Sequence, residues 1–129
     1  MIKEIKLKDK LLALHISLID KDDGTHPVTD SAYALQLLMM KRKAGHVFAK
    51  HTHKIISRTV PTMQESIVVI KGILLANVCD REGNEAGEYE ISAGECLFVV
   101  EGGFGLKVLK DTEFFEFKNG PHEDDKILL

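Results

Sequence analysis

Short apolar segments separated by turn residues run along most of this 129-residue chain, and their spacing restricts the fold more than any other feature. About ten such segments occur, and none has the length and period of a convincing helix. Short strands at regular spacing are typical of an all-β sandwich or barrel. The predicted strands are residues 2–7, 11–18, 33–43, 45–53, 65–71, 73–79, 89–91, 96–100, 104–109 and 112–117.

The length and composition suit one domain, residues 1–129, around one core, since 44% of the residues are hydrophobic. Lys and Arg number 17 against 20 Asp and Glu, so the net charge is −3 and gives no general attraction for nucleic acid or anionic membrane. The apolar run at 11–19 is too short to span a bilayer, and Glu4 and Asp9 interrupt the basic residues before it. We therefore expect a cytoplasmic, soluble protein. Cys79 and Cys96 lie in apolar runs and are expected to be buried, reduced thiols.

A His-x-His pair, His51 and His53, lies in a segment whose alternating pattern predicts a strand. Side chains two apart on a strand point to the same side, so Val47 and Ala49 would share a face with both imidazoles. These apolar neighbours favour an internal face, and a solvent-facing pair is the alternative. Glu65, at the head of the next predicted strand, could complete a set of two histidines and one carboxylate. Such a set suits Fe(II), and Mn(II), Ni(II) or Zn(II) are open alternatives.

Gly45, five residues, His51-x-His53, then Glu65, six residues and Gly72 resembles the first signature motif of the cupin superfamily. The resemblance implies that His51, His53 and Glu65 are metal ligands. The connection between the second histidine and the glutamate is longer than the family usually has, which predicts a longer hairpin there.

The same resemblance implies a single-domain cupin, a double-stranded β-helix or jelly-roll barrel, over about residues 33–118. The N-terminal strands at 2–18 would then be added to the sheet or to a dimer interface. Cupin-like barrels usually pair through edge strands, so a homodimer is expected.

The second cupin motif is matched in part by Gly94 and Gly102, with Val100 in place of the family's proline. A further histidine ligand usually follows that motif, and Phe104 occupies its position here. Three ligands can still hold a divalent ion, although less tightly than four. Phe104 would add an apolar wall to a substrate pocket.

A more specific resemblance joins His51, His53, Gln64 and the late Pro121, which is followed by an acidic stretch. The pattern is similar to that of small cupins that isomerise nucleotide-linked keto-deoxysugars. The resemblance implies a metal-independent reaction in which the two histidines act as acid and base, a role that suits imidazole at neutral pH. Those proteins usually carry a tyrosine after the proline, where this chain has His122.

Two further residues are candidates for the substrate pocket beside Phe104. Gln64 precedes the predicted carboxylate ligand. Arg58, in the long connection, could clamp a phosphate or a carboxylate, and a solvated surface arginine is the alternative.

Several functions therefore stay open. The first is a divalent-metal cupin that acts on a small polar, sugar-related metabolite. The others are a metal-independent nucleotide-sugar isomerase or epimerase, an Fe(II) dioxygenase, and a non-catalytic ligand-binding or accessory cupin. The expected partner is a small-molecule ligand, and neither nucleic acid nor a membrane is expected; an accessory cupin would instead support a partner enzyme.

Overall fold

The computed structural model describes residues 1–17 and 20–129, and this part of the chain forms ten β-strands and no helix. The predicted all-β class is therefore confirmed. Every strand pairing is antiparallel. The strands are β1 (Ile2–Leu7), β2 (Lys10–Ile16), β3 (Gly24–Pro27), β4 (Leu38–Lys41), β5 (Glu65–Lys71), β6 (Ile73–Cys79), β7 (Glu85–Ser92), β8 (Cys96–Val99), β9 (Gly103–Val108) and β10 (Glu113–Lys118).

Two of the three sheets enclose the main hydrophobic core. The five-stranded sheet has the order β1-β2-β8-β5-β10, and the three-stranded sheet has the order β7-β6-β9. Alternate residues of each strand point inward, so Ile67 and Val69 of β5 meet Leu74 and Ala76 of β6 in one buried cluster. The N-terminal strands β1 and β2 belong to the five-stranded sheet.

A second apolar cluster covers the opposite face of the five-stranded sheet. Its buried residues are Leu14 and Ile16 of β2 and Cys96 and Phe98 of β8. Tyr33 and Leu35, from the chain before β4, pack against them. Both faces of β8 are therefore buried, which suits the wholly apolar run of that strand. The remaining sheet is the two-stranded pair of β3 and β4.

The predicted strand at 45–53 is wrong. Every residue from 43 to 62 is exposed, and no regular secondary structure occurs from 46 to 61. An alternating sequence becomes a strand only when its backbone groups bond to a neighbouring strand, and this stretch has no such neighbour in the described chain. Residues 43–62 are called the histidine segment below.

Several other boundaries differ from the sequence prediction, and among them the predicted strand at 89–91 is the longer β7, which begins inside the predicted turn at 80–85. The predicted loop at 20–30 contains β3, and the predicted strand at 33–43 is reduced to β4, which pairs with it. The predicted strand at 11–18 corresponds to β2, and its last residue, Leu18, lies outside the described residues. The prediction for the cysteines is confirmed, because Cys79 and Cys96 are both free and buried.

Candidate functional site

The two histidines of the predicted metal site lie next to each other on exposed chain. The ring centroids of His51 and His53 are 5.4 Å apart, with 68° between the ring planes. The expected internal face is absent, since Val47 is 83% exposed. The pair therefore presents both imidazoles to solvent from the histidine segment.

One hydrogen bond defines the tautomer of a neutral His51 ring. Nδ1 of His51 lies 2.9 Å from the backbone oxygen of Ala49. A carbonyl oxygen only accepts, so Nδ1 carries the proton and donates it to this bond. In the neutral ring, Nε2 then keeps its lone pair for a metal ion or a proton. A histidine that binds a metal is usually oriented by a bond of this kind from its other ring nitrogen.

The spacing of the two rings fits a shared metal ion. Histidine nitrogens bind ions such as Zn²⁺ at about 2.1 Å, which puts each ring centroid about 3 Å from the ion. A separation of 5.4 Å between the centroids of His51 and His53 is therefore compatible with one ion held by both. Over residues 1–17 and 20–129, however, no three side chains of His, Cys, Asp or Glu come together as a metal-binding group. The structure brings two of the three predicted ligands together and leaves Glu65 apart.

Glu65 is instead the first residue of β5, half-buried in the five-stranded sheet. It lies opposite Val99 of β8 on one side and Lys118 of β10 on the other. Burial raises the pKa of the Glu65 carboxyl, and the negative charge of Glu116 adds to this effect. Lys118 and Lys126 act in the opposite direction without cancelling it.

We expect Glu65→Gln to stabilise the fold at neutral pH, with a gain that disappears as the pH falls. Because the pKa of Glu65 is raised on folding, the folded chain binds this proton more tightly than the unfolded chain. Stability is then lost as the pH rises from the ordinary glutamate range through the raised pKa. Urea denaturation of both proteins over a pH series measures the difference, and parallel curves for the two would contradict this account.

Gln64, predicted as a pocket residue, is a buried link between three parts of the chain. Its side-chain oxygen accepts the N–H of Leu35 at 3.1 Å, and its side-chain nitrogen donates to the carbonyl of Val100 at 3.2 Å. Its backbone N–H donates to Oδ1 of Asn119 at 2.7 Å. Both ends of the amide are therefore engaged by backbone groups.

The other two predicted pocket residues lie in separate regions. Arg58 is exposed in the histidine segment. Phe104 lies on β9 opposite Val78 and packs against the main core. The ring of Phe104 is therefore part of the packing between the two sheets, and the structure does not bring it together with the histidine pair.

A cavity of about 220 Å³ lies on the outer face of the five-stranded sheet and was not predicted from the sequence. Its residues come from four distant stretches of the chain, so no local motif marks it. One local sequence signal is the alternation of aromatic residues in β10, since it places Phe117 on this face beside Ser66. The lining residues are Leu35, Gln36, Leu37, Ser66, Val68, Phe98 and Phe117.

A hydrogen bond between His15 and Glu95 was also not anticipated. Nε2 of His15 lies 2.9 Å from Oε2 of Glu95, and the same oxygen accepts the N–H of Ser92 at 2.8 Å. Burial acts to raise the pKa of Glu95, but the bonds from Ser92 and His15 outweigh it and leave this pKa below its ordinary value. The pair joins β2 to the turn between β7 and β8.

Comparisons with protein-family models, with curated proteins and with solved structures found no match for this chain. Within residues 1–17 and 20–129, there is no helix of the length and apolar character needed to cross a membrane.

Proposed function

We propose that the protein is a small cupin-type β-sandwich that binds a divalent metal ion through His51 and His53 and acts on a small polar, sugar-related metabolite. The hydrogen bond from Nδ1 of His51 to Ala49 carries the proposal, because it leaves Nε2 free beside the ring of His53. The sugar-related substrate class comes from the sequence resemblance.

The strand connections support the cupin assignment. Jelly rolls consist of two antiparallel sheets between which the chain passes repeatedly. Here β5 and β6, which only Gly72 separates, belong to different sheets, and the chain also changes sheet between β7 and β8, β8 and β9, and β9 and β10. Glu65 begins β5 and Gly72 follows its last residue, so these two residues of the motif flank one strand.

Imidazole ligands suit Zn(II), Ni(II) or Fe(II), and Mn(II) also belongs to the candidates. A bound ion would supply Lewis-acid polarisation of a substrate oxygen. The protein's own part is to present Nε2 of His51 in a fixed orientation and to add positive charge around it. The histidine segment contains four Lys and Arg residues and no Asp or Glu, which favours an anionic substrate. Arg58 is the residue of this group best suited to a phosphate or carboxylate.

Metal titration of the double variant His51→Ala/His53→Ala tests the proposal. We expect the wild type to bind Zn²⁺ at one site per chain, and the double variant to bind it about 100-fold more weakly or not at all. Even the loss of a group that only orients a metal-binding histidine lowers metal affinity about 10–100-fold. Isothermal titration calorimetry gives both affinities.

The matched control is His46→Ala, because His46 lies in the same exposed segment but contacts the ring of Phe48 at a centroid distance of 4.7 Å. This variant should keep the wild-type affinity. Equal binding by the double variant and the wild type would contradict the proposal, and so would an equal loss in the control.

A metal-independent nucleotide-sugar isomerase is the second candidate. The same tautomer of His51 favours it, because a free Nε2 beside a second imidazole can accept a proton from one sugar carbon while the neighbouring ring returns one to another. This function requires binding of dTDP- or UDP-linked sugars in the absence of metal. A thermal-shift panel of such compounds with chelator present tests it, and no shift with any of them would count against it.

A further inference from the structure

The charges of this chain are unevenly distributed along its length. Residues 31–64 carry six Lys and Arg residues and no Asp or Glu, so their formal net charge is +6. The rest of the chain carries 11 Lys and Arg residues against 20 Asp and Glu, a net charge of −9. The expectation that no membrane binds the protein uses only the overall value of −3, which averages these two regions. The positive region contains the whole histidine segment.

Three cations of the histidine segment are free to bind an anionic partner. Lys43, at the start of the segment, is 3.8 Å from a carboxylate oxygen of Asp23. Lys50, Lys54 and Arg58 are exposed and make no ion pair with any described residue. A local group of unpaired cations attracts an anionic surface even when the net charge of the protein is negative.

Large apolar side chains lie on the same exposed stretch as these cations. Ile55 is fully exposed, Val47 is 83% exposed, and Phe48 and Ile56 are each more than half exposed. Isolated exposed apolar residues are common, but a concentration of them in one unpaired stretch usually marks an interaction surface. They form two adjacent pairs, 47–48 and 55–56, and the free cations lie between and just after the pairs.

The type of apolar residue favours a lipid surface over a nucleic acid. Proteins stack the bases of single strands on aromatic rings, and they read duplexes with a helix or strand in a groove. The histidine segment forms neither a helix nor a strand. The ring of Phe48 is already contacted by the ring of His46 at 4.7 Å and by the guanidinium of Arg42 at 5.3 Å. Aliphatic side chains such as Ile55 and Ile56 suit the boundary between lipid headgroups and acyl chains.

We propose that the histidine segment binds the surface of a membrane that contains anionic lipids. Lys50, Lys54 and Arg58 contact the charged headgroups, and the two apolar pairs enter the boundary beneath them. A segment whose residues are all exposed can lie on such a surface while the sandwich stays folded. The acidic remainder of the chain is repelled by the same surface, which orients the protein with this segment toward the lipid. This surface binding goes beyond the proposed function, because it requires neither a metal ion nor a substrate.

Sedimentation with lipid vesicles tests the proposal, with chelator present so that the result does not depend on bound metal. We expect the wild type to bind vesicles of phosphatidylserine and phosphatidylcholine in equal parts, and not vesicles of phosphatidylcholine alone. The charge variant Lys50→Gln/Lys54→Gln/Arg58→Gln changes only exposed side chains, so its folding is unaffected. It should bind the anionic vesicles about 100-fold more weakly, because each Lys or Arg near such a surface contributes about 5-fold.

The matched control is Lys71→Gln/Lys107→Gln/Lys110→Gln, which removes three exposed cations outside residues 31–64. This variant makes the same change in net charge and should bind the vesicles as tightly as the wild type. An equal loss of binding in the control and the charge variant would show that only the net charge matters, and would overturn the proposal.

The apolar variant Ile55→Ser/Ile56→Ser distinguishes a lipid surface from a nucleic acid. It keeps every charge, so binding to phosphates alone would be unchanged, whereas binding to anionic vesicles should weaken by about 10-fold or more. A wild type that binds neither kind of vesicle, or both kinds equally, would overturn the proposal. So would wild-type vesicle binding by the charge or the apolar variant, or tighter binding of the wild type to a DNA duplex than to anionic vesicles.

Discussion

Replacement of Phe98 by alanine is expected to lower the free energy of unfolding by about 3–5 kcal/mol. Phe98 is completely buried and is among the largest fully buried side chains of the described chain. Its ring stacks with Tyr33 at a centroid distance of 6.3 Å and lines the cavity of about 220 Å³. Deletion of the ring extends an existing cavity that the surrounding sheet cannot close. Since domains are typically stable by about 5–15 kcal/mol, the loss is a large share of the total.

Urea denaturation followed by circular dichroism measures this loss, and Phe115→Ala is its control. Phe115 lies on the same face of the same sheet, opposite Val68, but it is 60% exposed. The chemical change is the same, so the difference between the two variants isolates the effect of burial. We expect the control to lose much less stability than Phe98→Ala, and equal losses would show that the second apolar cluster is not packed as described.

Replacement of Gly72 by alanine is expected to cost about 2–5 kcal/mol. Gly72 forms the one-residue turn between β5 and β6 and has a φ of +91°, a conformation that residues with a Cβ rarely adopt. A Cβ there would lie 2.5 Å from Oγ1 of Thr112 and would also collide with the backbone oxygen of Asp111. The same Oγ1 accepts the N–H of Ile73 at 3.1 Å, so the collision would disturb the bond that joins this turn to the chain before β10.

Gly94→Ala separates the cost of the positive φ from the cost of the collision with Asp111 and Thr112. Gly94 has a similar φ of +84°, but nothing lies within 4 Å of the position of its Cβ. Gly94→Ala should therefore show the conformational cost alone, about 1–2 kcal/mol. Thermal or urea unfolding of both variants gives the difference, and a Gly72 variant no less stable than the Gly94 variant would mean that the close contact does not exist.

The strands from Glu65 to Lys118 could be predicted well from the sequence because each is a short apolar or alternating run bounded by turn residues. Gly72 and Gly94 mark turns that the structure contains, and the apolar run from Cys96 to Val99 is a strand buried on both faces. In these regions the local pattern and the tertiary packing favour the same structure.

The histidine segment could not be predicted because alternation describes only the side chains of a strand. Val47 and Ala49 alternate with Phe48 and Lys50, yet no strand pairs with this stretch in the described part of the chain. The same limit applies to β3, whose four residues become a strand only because β4 lies beside them. Pairing between strands is a property of the whole fold, and a local sequence window does not contain it.

The arrangement of the candidate site could not be predicted from the sequence. His51 and His53 are two apart in the chain, which keeps their backbones close, but the distance between their rings also depends on side-chain rotation. The separation of Glu65 from the pair depends on the path of the chain from residue 54 to 64, which carries no strong local signal. The hydrogen bond from His51 to Ala49 depends on a ring rotation that no sequence pattern encodes.

Elemental analysis of the protein purified without chelator tests the central claim most directly. If His51 and His53 hold a divalent ion, the wild type contains close to one metal ion per chain, and the folded His51→Ala/His53→Ala variant contains almost none. A folded wild type without metal, or equal metal contents in the two proteins, would contradict the account.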